Sequence, residues 1–211
     1  MREKGEGRRK RAARVREAAT ARPAWLVVAL CVAGILVAGY LAWLKFAGGH
    51  ALLCRAGSGC DLVNASRYSA LFGVPTALWG LGFYAVIGGL ALPGLTAARW
   101  RLAFLLAVAG AAFSLYLTGV SIWVIGAACV YCLASTAIAL AVVGVLLWQR
   151  PPMLGGRAVR GPRLWVPAAV AGVAAIVIGA GLFAWEGAAA DAEALARHLV
   201  RIDAVMYGAF W

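Results

Sequence analysis

Five cysteines hold the reactive chemistry of this 211-residue chain, and their spacing sorts them into two pairs and a singleton. Cys54 and Cys60 are separated by five residues that include Gly57, Ser58 and Gly59, a flexible setting. Cys129 and Cys132 enclose Val130 and Tyr131 in a Cys-x-x-Cys motif. Within one helical turn this spacing sets both sulfurs on one side, and a helix N-terminus favours the reactive thiolate through its dipole. Cys31 lies alone in an apolar run and reads as a small buried apolar residue. Two pairs meeting on one face make a relay. An aqueous dithiol reduces the flexible pair, which reduces the fixed pair by exchange through mixed disulfides. The same residues also fit two structural disulfides or a four-cysteine zinc site. With His50 the only histidine near them, no metal is expected.

These residues can meet only if the chain brings them to one face. Hydrophobic residues make up 64% of the sequence and the mean hydropathy is +0.86, more apolar surface than a soluble domain of this size can bury. Five runs have the length and composition of membrane spans: Ala24–Phe46, Thr76–Leu95, Leu102–Ile125, Ala128–Trp148 and Leu164–Trp185. They are continuous rather than alternating, which excludes a barrel and predicts helices. The first run exceeds the 7–15 residues typical of a signal-peptide core and reads as a retained span.

Charge sets the orientation. Nine of the 20 Lys and Arg residues fall in the first 22 positions, and Arg99, Arg101, Arg150, Arg157, Arg160 and Arg163 occupy two interhelical loops. With the N-terminus cytoplasmic, 15 of the 20 lie inside, as the positive-inside rule requires. The net charge of +12 is thereby assigned to the membrane surface rather than to nucleic acid. Both cysteine pairs then face outward, where disulfides persist. In the exterior segment, Asp61 to Phe72 predicts a short helix with Asp61 near its N-cap, its apolar side formed by Leu62, Val63, Leu71 and Phe72. Pro75 opens the second span.

Over roughly Ala24 to Trp148 the sequence resembles the vitamin K epoxide reductase family, in particular its bacterial disulfide-forming branch. The resemblance rests on Cys54, Gly59-Cys60-Asp61, Ser66, Phe72-Gly73-Val74-Pro75 and Cys129-Val130-Tyr131-Cys132. It implies an all-α integral membrane protein, a four-helix bundle around a quinone (ubiquinone or menaquinone) capped by a periplasmic half-helix. It also implies that Cys54 and Cys60 shuttle electrons, Cys54 meeting the partner and Cys60 meeting Cys129, with Cys132 facing the quinone. Ser66 falls where the family places a Ser or Thr beside the quinone, as a neutral donor to a quinone oxygen. Phe72 is implied beside it, and Trp79, Phe83 and Tyr84 are candidates to line the ring pocket. Thr76 and Thr136 stand where vertebrate members have Asn and Tyr, which favours quinone reduction over epoxide reduction.

The C-terminal stretch Asp191–Asp203 has helical spacing at Leu195, Leu199 and Ile202, and residues 204–211 read as a strand. By the same resemblance this is the start of a thioredoxin-like domain, the chain being cut from a longer fusion. The expected organisation is a basic cytoplasmic tail (1–23), a four-helix quinone-binding redox domain (24–148), a cytoplasmic loop (149–163), a fifth transmembrane helix (164–185) and an exterior linker leading into that domain (186–211). The expected protein is a multi-pass enzyme of the cell inner membrane. It oxidises a thioredoxin-like protein or fused domain and passes the electrons to a quinone, supporting disulfide formation in exported proteins. The rival readings are a scaffold with structural disulfides and a transporter, the latter disfavoured because its spans hold almost no ionisable groups.

Overall fold

A computed structural model describes residues 24–47, 59–149 and 162–201. Cys54, the basic tail, most of the loop before the last helix and the strand expected at 204–211 lie outside the described residues. Five apolar helices dominate: α1 (Trp25–Ala47), α3 (Thr76–Ala91), α4 (Ala97–Gly119), α5 (Val130–Trp148) and α6 (Pro162–Arg201), with a short α2 (Gly59–Ala65) between the first two. Four stretches are long and apolar enough to cross a membrane: Trp25–Ala47, Ala97–Val124, Val130–Trp148 and Trp165–Ala188. The chain is a multi-pass membrane protein.

The expected second span is shorter than its sequence limits. α3 ends at Ala91 after 16 residues, about 24 Å of rise, because Pro93 lacks a donor and Gly94 takes a positive φ of 87°. The chain then turns into α4, where the Thr96 hydroxyl accepts from the Arg99 N–H as an N-cap.

The pairs α1/α3 and α4/α5 run antiparallel. The Ala24 N–H at the start of α1 donates to Ala91 at the end of α3, and Trp100 Nε1 at the start of α4 donates to the Leu146 carbonyl near the end of α5. Around these contacts Val27, Cys31, Ile87, Ala103, Phe104, Ala107, Val142 and Leu146 form a tightly buried core. Trp100 stacks on Phe104 within it, ring centres 5.3 Å apart. Small residues permit the close approach: a methyl group on Gly34 would lie 2.7 Å from the Tyr84 ring, and one on Gly88 3.3 Å from Cys31.

The outer faces remain apolar and exposed, as lipid contact requires. Trp25, Trp148 and Trp165 mark one end, and Trp43, Trp123 and Trp185 the other, all exposed. Trp25 to Trp43 spans about 27 Å and Trp165 to Trp185 about 30 Å, close to the thickness of a bilayer core. Two aromatic belts at that separation match the membrane interfaces.

The segment between α1 and α3 differs from the single half-helix expected at Asp61–Phe72. α2 begins at Gly59 and stops at Ala65, because Ser66 adopts extended geometry. A 3-10 turn (Arg67–Ser69) leads into a minimal hairpin of β1 (Ala70–Leu71) and β2 (Val74–Pro75), pairing Ala70 with Pro75 and Leu71 with Val74. Its two turn residues, Phe72 and Gly73, have φ of 54° and 73°, the doubly positive geometry of a tight hairpin turn. Gly73 adopts this at no steric cost. Phe72 is strained there, and its N–H is held by the Glu186 carboxylate of α6.

α6 runs without interruption from Pro162 to Arg201, passing through position 186 where a linker was expected to begin. It lies along α4, with Gly172 against Val108 and Ala112 and the Phe113 ring crowding Gly179. Just past its middle, Phe183 meets Tyr68, ring centres 5.3 Å apart.

Candidate redox site

At the end of the bundle opposite the Trp100 core, α4 relaxes into a π-helical turn (Val120–Val124) and breaks at Gly126, φ 72°. The loop that follows is tied back to this turn: the Ser121 hydroxyl donates to Ala127 O at 2.5 Å and the Ala127 N–H donates to Ser121 O at 3.0 Å. The loop thereby delivers Cys129 to the N-cap of α5. Its backbone is extended (φ −99°, ψ 116°) and its sulfur accepts the Cys132 N–H at 3.4 Å.

Cys129 and Cys132 are free thiols, Cys129 only 4% exposed. The Cys129 thiol is pulled down from 9.0 to about 6, chiefly because the Cys132 thiol donates to it. Burial opposes this, and the backbone N–H groups of Cys132 and Tyr131 reinforce it. A thiol in that range is mostly thiolate at neutral pH, the form that attacks or leaves in exchange.

Cys60 approaches from α2. It is 8% exposed and disulfide-bonded, with its partner outside the described residues. The approach depends on Gly59: a Cβ at that position would lie 2.5 Å from the Ala128 carbonyl oxygen and 3.0 Å from the Ala128 nitrogen. Only glycine lets α2 start directly against the residue before Cys129.

Cys60, Cys129 and Cys132 all line one cavity of about 270 Å³. Its α3 wall carries Trp79, Phe83 and Tyr84, three residues that the sequence put forward for a ring pocket. Tyr84 is buried, and its hydroxyl donates to the Ser135 carbonyl at 2.8 Å with the Ser135 hydroxyl at 3.1 Å. Ser66 and Phe72 are not on the cavity wall. The Ser66 hydroxyl instead donates to Val63 O at 2.7 Å, closing the end of α2, and the Phe72 side chain is 59% exposed in the hairpin turn. Thr76 Oγ1 is engaged by Tyr68 O at 3.0 Å.

The α4–α5 wall adds groups that the sequence reading did not put forward as ligands. Ser114, Thr118 and Ser135 line the cavity. Behind them lies buried Thr136, whose Oγ1 stands 2.7 Å from the Ser114 hydroxyl, 2.8 Å from the Thr118 hydroxyl and 2.9 Å from Cys132 O. One assignment satisfies all three contacts: Thr136 donates to the Cys132 carbonyl and accepts from Ser114 and Thr118. The signal was available as hydroxyls at positions 114 and 118, four apart within a mostly apolar span. Lys45, half-buried at the end of α1, was also overlooked; it lines the same cavity.

Aromatic and aliphatic side chains form most of the cavity wall, hydroxyls enter it from the cap, from α3 and from the α4–α5 side, and a thiol pair stands at its edge. Residues 25–147, more than half of the chain, match the model of the vitamin K epoxide reductase family. The chain belongs to that family, and is accordingly a multi-pass membrane redox enzyme.

Proposed function

We propose that this enzyme moves two electrons from a protein dithiol, through Cys54/Cys60 and then Cys129/Cys132, to a quinone. The observation that carries the reading is the convergence of Cys60, Cys129 and Cys132 on one largely apolar cavity. A disulfide at Cys60 beside free thiols at Cys129 and Cys132 supports the reading.

In the first step a thiolate of a thioredoxin-like partner attacks the Cys54–Cys60 disulfide at Cys54. A mixed disulfide forms while Cys60 leaves with the electron pair. The partner's second thiol then closes its own disulfide and releases Cys54. Next the Cys60 thiolate attacks Cys129 of an oxidised Cys129–Cys132 pair. The Cys60–Cys129 bond forms, Cys132 leaves, and Cys54 resolves the intermediate by attacking Cys60. The net result is a re-formed loop disulfide and a reduced membrane pair. Cys129 is suited to the resolving step, in which it is the leaving group, because its thiol pKa is low.

When bound, a quinone accepts the two electrons and two protons of the Cys129/Cys132 dithiol. Trp79, Phe83 and Tyr84 would hold the ring, and the Ser135 hydroxyl, whose donor is not committed elsewhere, would face one of its oxygens, while the Ser114 and Thr118 donors stay on Thr136. Ser66, committed to Val63, is not carried into this set. Thr76 and Thr136 are both hydrogen-bonded within the protein and supply neither a carboxamide nor a phenol, which favours a quinone over vitamin K epoxide as substrate. The site faces the exterior of the cell inner membrane.

The test is thiol trapping of the full chain after mixing with a reduced thioredoxin-like protein. With quinone present, both pairs should cycle and the partner should become oxidised. Cysteines that stay permanently oxidised, whether or not quinone is added, would refute the relay.

A further inference from the structure

Among the described residues, Lys45 is the one charged side chain on the cavity wall. A lysine at the end of a membrane span ordinarily extends its ammonium into interfacial water. Here the ammonium is instead engaged by the segment that carries Cys60. It donates to the Asn64 backbone carbonyl at 2.6 Å and lies 3.0 Å from the Ser69 hydroxyl. Asn64 stands in the last turn of α2, where carbonyls have no intrahelical partner, and Ser69 ends the 3-10 turn that follows. One ammonium therefore joins α1 to both halves of the segment that carries Cys60.

The other end of α2 is fixed by contact rather than by charge, through Gly59 against Ala128. Cys60 sits between these two attachments and faces the cavity that Cys129 also lines. α2 has only seven residues, too few to keep its place through its own hydrogen bonds. Its position is set from outside, by Lys45 and by Ala128.

We propose that Lys45 is a positioning residue for Cys60, holding α2 in the register that brings the Cys60 sulfur to Cys129. The inference rests on the relay proposed above. It concerns the step in which the Cys60–Cys129 bond forms, the Cys129–Cys132 bond breaks and the electron pair leaves on Cys132. Lys45 exchanges no proton or electron in that step. It acts through α2.

The experiment uses the full chain in lipid nanodiscs with Cys54→Ala and Cys132→Ala, so that Cys60 and Cys129 can pair only with each other in this site. Reduced protein is exposed to glutathione disulfide, and Cys60–Cys129 cross-linking is timed by non-reducing peptide mass spectrometry. Lys45→Met, close in size but without charge or donors, should slow cross-linking about tenfold, as loss of a charged hydrogen bond predicts. Lys45→Arg should restore most of the rate, and Ser69→Ala should slow it less than Lys45→Met does. The thermal midpoint and the alkylation rate of Cys129 should stay at parental values. Cross-linking by Lys45→Met at the parental rate, or an Arg variant as slow as the Met variant, would overturn the role. If Lys45→Met does not fold, Ser69→Ala decides, and an unchanged rate there overturns it equally. A parent that does not cross-link also overturns it. Whether the relay itself stands is read separately, from quinol formation by the protein with all its cysteines.

Discussion

Replacing Gly59 with alanine perturbs the site through a single methyl group. The added Cβ would sit 2.5 Å from Ala128 O, whereas an ordinary contact begins near 3.4 Å, so α2 or the Ala128 loop must yield by about 0.9 Å. The loop is held by paired hydrogen bonds between Ser121 and Ala127, which leaves α2, and Cys60 next to Gly59, to move. Misplacing reacting groups by about 1 Å costs on the order of 100-fold in rate. The overpacking itself should lower stability by about 1–3 kcal/mol. The assay is a single turnover: quinone-oxidised protein is mixed with a reduced thioredoxin-like protein, acid-quenched at intervals, and its thiols mass-tagged. Gly59→Ala should leave reduction of the loop pair near the wild-type rate, while transfer to Cys129/Cys132 falls about 100-fold. A folded Gly59→Ala protein that transfers electrons at the wild-type rate would refute the reasoning, because Cys60 would then not need this approach to Ala128.

Four further outcomes are expected. Cys129 alkylation should follow its thiolate, half-maximal near pH 6 rather than near 9, and Cys132→Ala should move that midpoint upward by removing the main donor. Because the folded pKa is depressed, the stabilisation from this thiolate is complete above pH 9 and lost as pH falls through 6, which pH-dependent thermal melts will register. Gly110→Ala places a methyl group into the Phe83 ring; displacing that ring toward the cavity should raise the quinone KM about tenfold, equivalent to about 1.4 kcal/mol, with kcat largely retained. Thr136→Val preserves shape but strips partners from Ser114, Thr118 and the Cys132 carbonyl, so unfolding in detergent should show a loss of about 1–3 kcal/mol.

Features that depend on short stretches of chain were legible in the sequence. A span is a local run of apolar residues, and Trp25–Ala47 and Val130–Trp148 emerge within a residue or two of their expected limits. The family resemblance, too, rested on short ordered motifs. Features that depend on distant contacts were not legible. α2 stops at Ala65, and the hairpin turn at Phe72–Gly73 is held by Glu186 from a helix more than a hundred residues away. Nothing adjacent to Lys45 announces that its ammonium will turn toward Asn64 and Ser69. Ser66 illustrates the reverse case. Its position in the motif pointed to a ligand role, and its hydroxyl is bonded to the Val63 carbonyl three residues back, which also accepts the Ser66 N–H. Trp79, Phe83 and Tyr84 were put forward as candidates to line a ring pocket, and all three stand on the cavity wall.

The relay is tested most directly by following quinol formation in the full chain supplied with a reduced thioredoxin-like protein and quinone, for wild type and for Cys132→Ala. Wild type should produce one quinol for each partner disulfide formed. Cys132→Ala should produce none, while its loop pair still exchanges with the partner. Quinol formation that persists without the Cys132 thiol would contradict the account.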